Sequence, residues 1–210
     1  MLVSNVKVYG LFESMVASGY PMKADMYTPA EFKAEVNELK KQQQLDMVEL
    51  FTNKHFKRGY KLANAKSGSG HDCWLKGVIV QMDVKAPQYF WQQLQRYHFV
   101  EFISSQSKLQ SIQKMELEKL CMLSTNYEAI NNAKESVKYY DSGEINIDDC
   151  LANIPMGLEY TARMTTNYLQ LKTIYHQRKH HRSKQWKDFC EWIETLPYAH
   201  QLIITSGVDK

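Results

Sequence analysis

The run Trp74-Leu75-Lys76-Gly77-Val78-Ile79-Val80-Gln81-Met82-Asp83-Val84 alternates in polarity and is rich in β-branched residues. That pattern predicts a strand with one buried face. Three residues later Pro87 opens a stretch with Tyr89, Phe90, Trp91 and Leu94 at helical spacing. A period-2 segment feeding directly into a period-3.6 segment requires sheet and helix in one fold. The class is α+β.

The rest of the chain fills in that class. VKVYGLF near the start reads as a strand, and SMVASGY as a short helix or loop. Thr28-Pro29-Ala30-Glu31 is a capping box with proline at the first helical position, followed by Phe32, Val36 and Leu39. It predicts a helix from 29 into the forties. The Lys66–Gly70 segment, KSGSG, reads as a flexible hairpin connection, since no phosphate-cradling helix signature follows its glycines. Ile112, Met115, Leu117, Leu120 and Leu123 suggest another helix, and SGEINIDDC near 145 a polar connector. A long helical pattern is expected from Met156 to His181, and a last helix over 185–193 ends near Pro197. The expectation is one domain over residues 1–210, with a mixed sheet, long helices and a helix-rich C-terminal half. The first 60 residues carry no readable chemistry.

Bulk properties narrow the function classes. Of 210 residues, 44% are hydrophobic and 23% charged, as in ordinary globular domains. No apolar run is long enough for a bilayer, and the N-terminus lacks a signal-peptide pattern, so a cytoplasmic protein is expected. Cys73, Cys121, Cys150 and Cys190 are widely spaced and form no C-x-x-C pair, which argues against a disulfide scaffold or zinc knuckle. The net charge of +3 is concentrated. Residues 175–187 hold five Lys or Arg, three His and no acid, a local field suited to a small anion or a polyanion. His176 and His180 lie four apart, but no third metal ligand is identifiable. No helix-turn-helix, RNP or zinc-finger pattern supports nucleic-acid binding.

Two blocks carry candidate chemistry. The first is Gln93-Leu94-Gln95-Arg96-Tyr97-His98, then Phe102 and Ser104-Ser105-Gln106-Ser107. The second is Pro155-Met156-Gly157-Leu158, then Asn167, Leu171, Ile174 and Arg178 on one helical face, then Gln185-Trp186. In this order they resemble the flavin-dependent thymidylate synthases. That family has Gln-x-x-Arg-His-Arg, an aromatic and Ser-x-x-Ser, and later an Asn-x-Arg-x-Leu-x-x-Phe-x-x-Leu-Arg helix followed by Ala-Gln-Trp-Glu. Anchored on Arg96, the family triplet is Arg96-Tyr97-His98 and the serine spacing is one residue longer; aligned on Ser107 without a gap, the triplet is Tyr97-His98-Phe99 and both arginines are lost. Leu109 and Leu169 stand where the family has arginines.

The resemblance implies the family fold and FAD-dependent methylation of dUMP, or a related pyrimidine nucleotide, to dTMP. The carbon would come from methylenetetrahydrofolate and the reducing equivalents from NADPH, in a homotetramer. It implies roles by position. Arg96, His98, Asn167 and His181 would contact flavin, and Gln93 would assist at the nucleotide phosphate. Ser105 and Ser107 would donate near the nucleotide, and Arg178 would reach the pyrimidine, with Arg178 and Ser107 nearest the reaction. Two other readings remain: a non-catalytic flavin- or nucleotide-binding protein on the same fold, and a nucleic-acid-binding protein using the basic 175–187 segment.

Overall fold

The computed structural model describes residues 1–42, 47–66 and 68–205. In chain order the elements are β1 (Leu2–Tyr9), α1 (Leu11–Ala17), α2 (Pro29–Gln42), α3 (Met47–Leu50), α4 (Lys54–Ala63), β2 (Ile79–Pro87) and α5 (Gln88–Leu94). There follow β3 (Glu101–Ser105), α6 (Lys108–Ser111), α7 (Leu117–Leu120), α8 (Tyr127–Asp141), α9 (Ile147–Ala152), β4 (Glu159–Asn167), α10 (Tyr168–Arg178) and α11 (Lys184–Glu194). Short 3₁₀ turns and a π-helical turn at His200–Ile204 complete the described chain. The strands form one antiparallel sheet in the order β1-β2-β4-β3, not a mixed one. No described helix is long and apolar enough to cross a membrane.

The chain divides into two compact units, each made of two segments: residues 1–6 with 82–165, and 7–81 with 166–210. In the first, Met82, Val84 and Ala86 of β2 and Ala162 and Met164 of β4 are buried at alternate positions, so one face of the sheet is covered. Arg163 ties the strands together, donating to the Asn5 carbonyl (2.8 Å) and to Asp83 (3.1 Å). The Asn5 amide holds the Asp83 carboxyl below its ordinary range, assisted by Arg163. A separate apolar cluster contains Ile112, Leu117, Ile130, Cys150 and Leu158.

In the second unit α10 packs against the 3₁₀ turn His71–Gly77, α11 and the π-helical turn. Leu171, Ile174, Trp186, Phe189 and Ile193 are fully buried. The capping box before α2 is complete: Thr28 N–H donates to Glu31 (2.8 Å) and Glu31 N–H to Thr28 Oγ1 (3.3 Å).

Several sequence expectations are corrected. Residues 159–167 are a strand, so the expected 156–181 helix shortens to α10. Residues 74–77 lie in a 3₁₀ turn, and the strand begins at Ile79. The glycine segment therefore joins α4 to that turn and is no hairpin; Ser67 lies outside the described residues. The 112–123 helix breaks into a 3₁₀ turn and α7, and the connector near 145 contains α9, capped by Asn146.

Candidate functional site

In the first unit, α5 places Phe90, Trp91 and Leu94 inward. The Trp91 indole N–H donates to the Ala86 carbonyl (3.0 Å), and its ring stacks on Tyr160 (5.3 Å) beside Phe102 (5.1 Å). Gln93 is half-buried on this helix, while Arg96 and His98 stand exposed in the turn that follows. The chain then enters β3, where Phe102 faces Met164, and Ser104 and Ser105 face Arg163 and Ala162. The register slips between Phe102 and Ser104, the signature of a bulge around Ile103.

Beyond the strand, Gln106 continues the ladder with Thr161 through both its backbone N–H (3.0 Å) and its side-chain oxygen (2.8 Å). Ser107 precedes α6, and its carbonyl accepts from the Ser111 hydroxyl (2.6 Å). Ser105 and Ser107 are exposed. Their neighbour Lys108 is half-buried, donates to Gln88 Oε1 (2.6 Å) and lies 6.0 Å from the Tyr160 ring. Burial pushes its ammonium pKa down, and the Gln88 amide and Tyr160 ring beside it are neutral. Sequence reasoning looked for a cation at 109 and missed the one at 108. Its signal is a lysine directly after the second serine.

The second unit carries the other candidates. Asn167 caps α10, its side-chain oxygen accepting from Gln170 N–H (2.9 Å), which leaves the amide donor for other use. Arg178 closes the helix. Its guanidinium lies over the Trp186 ring at 4.6 Å, a cation–π contact. His181 accepts from Ser183 N–H at Nδ1 (3.1 Å), so its neutral form carries the proton on Nε2. Burial, then Arg178 and Arg182, lower its pKa. Gln185 is 4% exposed and its side-chain oxygen has no hydrogen-bond partner among the described residues.

His176 donates from Nε2 to the Ile203 carbonyl (3.0 Å), which commits it to the fold. Among the described residues no three His, Cys, Asp or Glu are grouped to hold a metal ion. Burial pushes the Cys190 thiol up to about 11 and raises Cys121 and Cys150, so these three are poor nucleophiles. Thus Gln93, Arg96, His98, Ser105 and Ser107 lie in one unit, and Asn167, Arg178 and His181 in the other.

No protein-family profile and no curated protein sequence matches the chain. Solved structures do. Two are flavin-dependent thymidylate synthase ThyX from Helicobacter pylori with FAD and dUMP, each 12% identical. One has a TM-score of 0.67 and covers 98% of this chain and 100% of its own. The other has a TM-score of 0.65 and covers 100% of both. Another is the UMP/dUMP methylase PolB from Streptomyces cacaoi bound with 5-Br dUMP. It is 12% identical with a TM-score of 0.57, covering 98% of this chain and 95% of its own. The chain has the fold of the flavin-dependent thymidylate synthases.

Proposed function

We propose that the chain is a flavin-dependent methyltransferase that converts dUMP, or a closely related pyrimidine nucleotide, to its 5-methyl product. The observation that carries this reading is the full-length likeness to structures that hold FAD and dUMP or 5-Br dUMP. Methylenetetrahydrofolate is the proposed carbon donor and NADPH the reductant.

The donor set suits a cofactor with a pyrophosphate and a carbonyl-rich ring. Arg96, His98, the Asn167 amide and the His181 Nε2–H are the groups proposed to hold FAD, which when bound supplies the hydride chemistry. Exposed Arg96 and His98 beside exposed Phe99 (64%) and Ile103 (51%) support a site completed by other copies in a homotetramer.

Toward the nucleotide, Gln93, Ser105 and Ser107 supply neutral donors and Lys108 the charge for the phosphate. A half-buried ammonium with only neutral partners gains more from an anion than a solvated one. Arg178, stacked on Trp186, is the guanidinium proposed to donate to a pyrimidine carbonyl. No thiol is needed, in keeping with the raised cysteine pKa values.

Purified protein is expected to carry, or take up, FAD with its visible absorbance. Colourless protein that rejects FAD and is retained on DNA or RNA in a salt-sensitive way would replace this reading with the nucleic-acid one. Tyr97, Leu109 and Leu169, where the family has a histidine and two arginines, favour the second reading, a flavin- or nucleotide-binding protein without turnover.

A further inference from the structure

The turn between α10 and α11 carries positive charge that the function proposed above leaves unused. The His181 N–H donates to the Arg178 carbonyl (2.8 Å) and closes the turn, and α11 packs back against α10. Lys179, His180, Arg182, Lys184 and Lys187 are exposed around it. The acids that follow in the chain are Asp188, ion-paired with Lys184 (2.5 Å), and Glu191. Among the described residues Lys179, Arg182 and Lys187 make no ion pair, so three cations share one corner without a counter-charge. Like charges gathered in this way raise the local potential, and a multivalent anion relieves it.

The rings of the segment narrow the class of anion. Single-stranded nucleic acid is held by bases stacked on exposed rings beside a basic groove. Here Tyr175 and Trp186 are buried, and Arg178 lies over the Trp186 ring, so no Tyr or Trp of the segment is offered to a base. The cations are also split between the turn, with Lys179 and Arg182, and α11, with Lys184 and Lys187. They do not follow one helix face, as a reader of a duplex groove requires. A short flexible chain of carboxylates needs charge alone.

We propose that the corner formed by Lys179, Arg182 and Lys187 binds the oligoglutamate tail of the folate donor, so that the preferred donor is a folate with several glutamates. This deepens the methyltransferase reading and rests on it. Arg178 and His181, assigned above to the pyrimidine and the flavin, belong to the same turn and alternate with these cations. The donor must bring its reacting carbon within about 3.5 Å of the pyrimidine. Its far end, a chain of γ-linked glutamates, then leaves past the corner.

Calorimetric titration of the FAD-loaded protein with 5-formyltetrahydrofolate bearing one or five glutamates tests this. The pentaglutamate is expected to bind about tenfold more tightly, and the preference to shrink to about twofold between about 0.05 and about 0.5 M sodium chloride. Lys179, Arg182 and Lys187 are exposed and outside the contacts proposed for dUMP and FAD. The combined Lys179→Gln, Arg182→Gln, Lys187→Gln variant is therefore expected to fold, lose the preference and keep the monoglutamate affinity. Equal affinity of the parent for the two folates, or a preference that survives salt or the triple variant, overturns the proposal and leaves the methyltransferase reading standing. Binding of neither folate, with or without FAD, overturns both. Displacement of the pentaglutamate by oligodeoxythymidylate at concentrations below its own overturns it in favour of nucleic acid.

Discussion

At the scale of single residues, Arg178 and His55 make the sharpest statements. Arg178 lies over Trp186, and its planar guanidinium is proposed to recognise the pyrimidine, a task a point charge cannot perform. Arg178→Ala is expected to weaken dUMP binding by about 2 kcal/mol while changing FAD affinity little, as parallel titrations of the two ligands would read. Equal loss of both, or of neither, contradicts the role. His55 is 1% exposed, its Nε2–H donating to Glu35 (2.8 Å) while Nδ1 accepts from Arg58. Burial lowers its pKa below the usual histidine value, so below about pH 6.5 the unfolded chain binds a proton that the native chain refuses. Stability is full above that pH and falls as pH drops toward the lowered native pKa. His176 and His181 are shifted the same way. His55→Gln keeps a donor and an acceptor but cannot titrate. Urea midpoints measured between pH 5 and 7 should therefore fall less steeply for that variant than for the parent.

At the scale of elements, α10 is pinned by a buried charge. Lys172 is 8% exposed and donates to the Ala63 carbonyl (2.5 Å) and to Asp72 (3.0 Å). Asp72→Asn strips the counter-charge and should cost about 3 kcal/mol. Lys172→Met removes the charge with the stem retained and should cost clearly less; urea unfolding measures both. Element by element, legibility followed local chemistry. The capping box announced α2, and the proline and aromatic spacing announced α5. β4 was hidden because Leu158, Met164 and Tyr168 also suit a helix. Its burial instead alternates through Ala162, Met164 and Thr166, with Arg163 and the β-branched Thr165 between. α8 escaped because it buries fully only Ile130 and Ala133, and its clearest mark is the Asn126 cap. In the candidate site, motif order located the blocks. The bulge near Ile103, the Lys108–Gln88 contact and the stacking of Arg178 on Trp186 are tertiary facts that linear spacing does not carry.

At the scale of the whole molecule, a sheet and helical layers laid out like those of FAD- and dUMP-bound synthases coexist with changes at the residues that would touch those ligands. The fold alone is silent on turnover, so the central claim rests on whether the substituted cation set still works. Tritium release from dUMP labelled at carbon 5 tests it most directly. The account predicts release that requires FAD, NADPH and methylenetetrahydrofolate together and is lost in Arg178→Ala. Protein that takes up FAD and dUMP yet releases no tritium under those conditions would contradict it.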